Sequence, residues 1–117
     1  MIHIIRKRAS EREMAEMLQM LRTYIKLAVD VRREILAGGG AMHADCEAAL
    51  LNDGSRQEDV WGADWNPFTQ EVTYESLINI RPRQNNRSME LQSPVLRAQV
   101  EQVVVTWLGG VDVGKLA

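Results

Sequence analysis

Ile25-Lys26-Leu27-Ala28-Val29-Asp30-Val31-Arg32-Arg33-Glu34-Ile35-Leu36-Ala37, running into Gly38-Gly39-Gly40, is the stretch that decides the fold. Ile25, Leu27, Val29 and Val31 alternate as a strand does, while Ile25, Ala28, Val29 and Ile35 also fit one helical face. No Gly or Pro separates the stretch from the helix before it. The two readings are one long helix ending at the glycines, or a hairpin. The hairpin has a strand to about Val31, a tight turn at Arg32-Arg33 and a return strand to Ala37. Its β-branched content favours the hairpin; Arg-Arg is a poor turn sequence and counts against it.

Working outward, Ile2 to Ile5 is short, β-branched and bounded by charge, as a strand is. Ser10 with Glu13 three residues on forms a capping box. Met14, Met17, Leu18 and Leu21 follow at helical spacing, with Met20 at the margin. The triple glycine before a helix could wrap a phosphate with backbone N–H groups, but it lacks the Lys-Ser/Thr of a nucleotide-binding loop; the competing reading is a turn or a place of close packing. Met42 to Leu51 forms a short helix with Met42, Cys46, Ala49 and Leu50 on its apolar face, stopped by Asn52-Asp53-Gly54. A second hairpin follows. Asp59, Trp61, Ala63 and Trp65 share one strand face, Asn66 to Gln70 connects, and Val72, Tyr74 and Ser76 alternate on the return. Leu77, Ile78 and Ile80 then form an apolar run cut off by Pro82, and residues 83–92 form a loop. Ser93 and Pro94 open a last helix, with Leu96, Val100, Val103, Val104, Trp107 and Leu108 along its apolar stripe. Gly109-Gly110 ends it.

The expected fold is α+β: a single, mainly antiparallel sheet of about four to five strands with three helices covering one face. The order is β-α-β-β-α-β-β-α. A chain of 117 residues supports one modest core, here one domain over residues 1–110 with a flexible tail from 111 to 117. The composition, 45% hydrophobic and 26% charged, is ordinary for a globular protein. A formal net charge of -2 argues against general attraction to nucleic acid or an anionic membrane. A single cysteine excludes an internal disulfide. With no signal sequence and no apolar run long enough to span a bilayer, the expected location is the cytoplasm.

Three groups of residues bear on chemistry. The first is Arg81-Pro82-Arg83-Gln84-Asn85-Asn86-Arg87-Ser88, with three arginines and no acidic residue. Guanidinium forks suit carboxylate or phosphate oxygens. Arg81, Arg83, Asn85, Asn86, Arg87 and Ser88 are the candidate ligand-binding residues, and the competing reading is a long loop pinned by arginine pairs and amide caps. The second is the carboxylate set Glu58, Asp59, Asp64, Glu71 and Glu75. Strand periodicity puts Asp59 and Asp64 on opposite faces. Asp59, beside two tryptophans, would have a raised pKa by desolvation and serve as a general acid; a solvated or arginine-paired role competes. The third is His43-Ala44-Asp45-Cys46-Glu47, where His43 and Cys46 can share a helix face. His43 and Asp59 are the candidate catalytic residues. Cys46 also fits the core, and no metal or cofactor is expected. Half-exposed Trp65 or Phe68 at the hairpin tip would suit a homo-oligomer contact.

Leu36-Ala37-Gly38-Gly39-Gly40, His43-Ala44-Asp45, the string Asp53 to Gly62 and the string Ser76 to Met89 resemble those of a small bacterial protein family of unknown function, represented in cyanobacteria. The resemblance covers roughly Lys26 to Leu108. It implies the element order above, strand rather than helix over Lys26 to Val31, and motif status for His43, Asp45, Glu58, Asp59, Arg81, Asn85, Asn86 and Arg87. It implies no catalytic role. The functional expectation is a small protein that binds an anionic ligand or a partner through Arg81–Ser88. The alternatives are a hydrolase or phosphoryl-handling enzyme, with His43 and Asp59 as acid and base and Arg81 and Arg87 as clamp, and a nucleic-acid binder.

Overall fold

The computed structural model describes residues 1–113. In chain order it contains β1 (His3–Ile5), α1 (Glu11–Leu18), β2 (Ile25–Asp30), β3 (Ile35–Gly38), α2 (His43–Asn52), β4 (Val60–Asn66), β5 (Glu71–Thr73) and α3 (Pro94–Leu108). The strands form one antiparallel sheet in the spatial order β1-β3-β2-β4-β5. The fold is α+β in the expected element order.

The deciding stretch is a hairpin, and its turn chemistry sits on either side of the arginines. Asp30 Oδ1 accepts hydrogen bonds from the backbone N–H groups of Arg32 (2.9 Å) and Arg33 (2.8 Å). Glu34 takes the left-handed conformation, with φ of 56°. An Asx turn closed by a left-handed residue tolerates Arg-Arg at its centre. The Trp107 indole N–H donates to the Glu34 carbonyl at 2.8 Å, tying the turn to α3.

β2 sits between β3 and β4, so Val29 lies opposite Leu36 on one side and Trp61 on the other. Its odd-numbered side chains join Trp61, Ala63 and Trp65 in the larger core cluster, against Met14, Met17 and Leu18 of α1 and Val100, Val103, Val104 and Leu108 of α3. The opposite face carries Ala28, Ala37 and Val60, covered by Cys46 and Leu50 of α2. The expectation of helices on one face is therefore corrected: α1 and α3 cover one, α2 the other. Small residues line much of the α2 side, and they register weakly as an apolar period.

The glycine run serves packing. A Cβ on Gly38 would stand 2.7 Å from Leu27 Cδ2, and Gly39 has φ of +104° under Met17. Met42 precedes α2 and is exposed, not part of its buried face. Val111 and Val113, assigned by sequence to a loose tail, are buried in the larger cluster; residues 114–117 of that tail lie outside the described residues. No helix among the described residues is long and apolar enough to cross a membrane.

Candidate functional site

After Thr73 the chain leaves the sheet and crosses beside β4. Gly62 makes this crossing possible, because a Cβ there would lie 2.5 Å from Ser76 Cβ. The apolar run after it forms no strand: Leu77–Asn79 is a single 3₁₀ turn. Asn79 is fully buried between Ile78 and Ile80. Its Oδ1 accepts from the Gly62 N–H at 2.8 Å, and its Nδ2 donates to Gly62 O at 3.0 Å. The same amide reaches Tyr74 O at 3.3 Å and Met89 O at 3.1 Å. One side chain thus replaces a strand partner for β4 where β5 has ended.

Arg81 and Asn86 fix the next turn. Their backbones bond reciprocally at 2.6 and 3.1 Å, and Asn85 between them is left-handed at φ of 61°. The Asn86 amide is buried; it donates to Asn79 O (2.8 Å), Ser88 O (2.9 Å) and Glu90 O (3.0 Å), and accepts from Gln92 N–H (2.9 Å). The Arg81 guanidinium donates to Ile78 O (3.0 Å), Gln57 O (2.6 Å), Val60 O and Glu47 (3.4 Å). It also lies 4.3 Å from the Trp61 ring centroid. Burial lowers its pKa and the Glu47 charge opposes this.

The sequence-predicted ligand residues therefore divide. Arg81 and Asn86 point into the protein. Ser88 Oγ accepts from the Glu90 N–H at 3.1 Å. Asn85 holds the turn. Arg83 and Arg87 are exposed, and their guanidinium groups make no hydrogen bond or ion pair among the described residues.

The candidate catalytic residues do not meet. His43 Nε2 faces Asp64 Oδ1 at 2.8 Å and Ala63 O at 3.1 Å, so this nitrogen carries the proton. The other Asp64 oxygen accepts from the Thr73 hydroxyl at 3.2 Å. Asp59 lies in a 3₁₀ turn before β4 and accepts from Arg32 and Arg56, each at 2.9 Å. Burial pushes the Asp59 carboxyl up, but hydrogen bonds from the two arginines outweigh it and leave the pKa below the ordinary carboxylate range. The expected raised pKa is thus reversed, and Asp59 is not poised as a general acid at neutral pH. Arg81, committed to backbone carbonyls and Glu47, is not available as a clamp beside His43 and Asp59.

Asn79 is absent from the sequence-predicted site residues, and Asp64, weighed there only against Asp59, has a different partner. Asp64 is the actual partner of His43, on the strand face that also carries Val60 and Gly62. It borders two open basins, of about 360 Å³ beside Tyr24 and Glu71 and about 410 Å³ beside Glu75 and Glu90. A signal for Asn79 existed: an amide alone in an apolar run is expected to be buried with its hydrogen bonds met.

The Asp53–Asp59 string pins a turn. Asp53 pairs with Arg6 at 2.6 Å and Arg33 at 2.9 Å, and Arg33 also donates to Ser55 Oγ at 2.8 Å. Cys46 is a buried core thiol whose pKa is raised by burial. Among the described residues no three His, Cys, Asp or Glu side chains are placed to hold a metal ion. Of the two hairpin-tip aromatics, Trp65 is buried and Phe68 is exposed.

The model of DUF5674, a protein of unknown function, matches residues 3–107. The chain belongs to the DUF5674 family. The family match spans the sheet, α1, α2, the pinned segment and all of α3 but its last residue. No curated protein and no solved structure matches the chain.

Proposed function

We propose that this DUF5674 protein is a binding module that recognises an anionic ligand or partner through the Arg81–Ser88 loop, with Arg83 and Arg87 as the contacting groups. One observation carries the reading. Arg81 and Asn86 hold the loop rigid from within, while Arg83 and Arg87 face solvent with no carboxylate pairing them among the described residues. Guanidinium forks on a fixed frame bind carboxylate or phosphate oxygens with little ordering cost. The test is titration with fluorescein-labelled polyglutamate and with inorganic polyphosphate at low and raised salt. Binding should weaken with salt and fall about tenfold or more with Arg83→Ala plus Arg87→Ala. Arg12→Ala, on the exposed face of α1, should bind as the parent does. Equal binding by the double variant sinks the reading.

A second reading keeps hydrolytic or phosphoryl-handling chemistry but exchanges Asp59 for Asp64. The 2.8 Å His43–Asp64 pair supports it: a carboxylate that holds an imidazole tautomer and stabilises the imidazolium is a general-base arrangement. Turnover of p-nitrophenyl acetate or phosphate that disappears with His43→Ala would support this reading; unchanged turnover would remove it.

A further inference from the structure

We infer that the partner taken by this loop is an acidic protein segment carrying an apolar anchor residue. The inference rests on the reading that Arg83 and Arg87 are contacting groups. The same segment exposes Leu77, Ile80 and Met89, at 67%, 44% and 37%. They lie in the same segment, Leu77 to Met89, as the two exposed arginines. The Ser76 N–H donates to Met89 O at 3.0 Å, so the backbone leading into Leu77 runs beside Met89, and the Arg81–Asn86 bridge joins the backbone that follows Ile80 to the one that precedes Arg87. The surface carries Leu77 and Met89 at one end, next to Glu75 and Glu90, and Arg83 and Arg87, unpaired among the described residues, at the other. Asn79, Arg81 and Asn86 hold it in shape before any partner arrives, which lowers the ordering cost of binding. Met and Arg are enriched in the cores of protein interfaces.

Charge and apolar character together select the partner class. A free phosphate would use the arginines and leave the apolar end in water. Single-stranded nucleic acid stacks its bases on aromatic side chains, and Leu77 to Met89 contains no aromatic residue. A peptide segment with Asp or Glu flanking a Leu, Ile or Phe engages both ends at once.

Panning the full chain against a random peptide display library tests this. Selected peptides are then measured by fluorescence anisotropy on the parent, on Arg83→Ala plus Arg87→Ala, and on Leu77→Ser plus Ile80→Ser. All four positions are exposed, and circular dichroism confirms that each variant is folded. The expected winners combine acidic with large apolar residues, and each double variant weakens them about tenfold or more. An empty selection, winners without acidic residues, or winners indifferent to Leu77→Ser plus Ile80→Ser would overturn the inference. A single-stranded oligonucleotide or polyphosphate that binds through Arg83 and Arg87 but ignores Leu77 and Ile80 would also overturn it, while leaving the anion-binding reading intact. If no probe, peptide or polyanion, responds to loss of Arg83 and Arg87, both fall together.

Discussion

Two arginine-rich turns in this molecule meet opposite fates. In the β2–β3 turn, Arg32 donates to Asp59 and Arg33 to Ser55 and Asp53. In the later turn, Arg81 donates mainly to backbone carbonyls, and Arg83 and Arg87 stay in solvent. The arginines are the same; the supply of carboxylates differs. The Asp53–Asp59 string delivers two aspartates to the first turn, whereas the later turn receives Glu47 on Arg81 and, among the described residues, no carboxylate on Arg83 or Arg87. An arginine cluster becomes structural where carboxylates are brought to it, and stays available for a partner where the turn is held by amides instead.

Removing the amides should have the largest effect. Asn79→Ala should cost about 3 kcal/mol or more, because it strands the Gly62 N–H and C=O in the interior. Asn86→Ala should cost about 2 kcal/mol for the same reason. Urea unfolding measures both. A loss below about 1 kcal/mol for Asn79→Ala would show that the later turn is not held by its amides. Either variant should also weaken any ligand of Arg83 and Arg87, since the frame that presents them loosens.

The contrast explains what the sequence could and could not disclose. The element order was legible because Ser10, Ser93 and Pro94 mark helix starts and because Trp61, Ala63 and Trp65 alternate. The β2–β3 hairpin was legible from its β-branched residues, although the turn signal lay in Asp30 and Glu34, which flank Arg-Arg. The position of α2 was hidden, since Ala28, Ala37 and Gly62 give no strong apolar period. In the candidate site, the density of polar groups in residues 81–88 was visible, but not which of them turn inward. That depends on Gly62 leaving room for Ser76 and Asn79 across a long sequence separation. The partner of His43 is hidden for a related reason: strand periodicity relates Asp64 only to residues of its own strand, and the imidazole arrives from α2.

Arginine substitutions compare the two turns directly. Arg81→Met should destabilise by about 2 kcal/mol, because the carbonyls of Gln57, Val60 and Ile78 lose their shared donor. Arg33→Ala should cost about 1 kcal/mol, mainly through the lost Ser55 bond in a partly exposed setting. Arg83→Ala and Arg87→Ala should stay within about 0.5 kcal/mol of the parent. Thermal or urea midpoints in that order support the division into pinned and available arginines. An Arg87→Ala loss as large as that of Arg81→Met would contradict it.

The smallest effect appears only in acid. Hydrogen bonds from Arg6, then Arg33, hold the Asp53 carboxyl down to about 2, against an ordinary value of 3.8. A carboxyl whose pKa is depressed on folding stabilises the native state fully above its unfolded value. That contribution fades as pH falls toward the folded value. The window is therefore from about 3.8 down to about 2. Asp59, also depressed by arginines, acts in the same direction. The Asp53→Asn protein should start less stable at neutral pH and then lose less than the parent across this window, so the two urea-midpoint curves converge as acid is added. Parallel curves would mean that the arginine pairing at Asp53 does not persist in solution, and the contrast between the two turns would then rest on Asp59 and Ser55 alone.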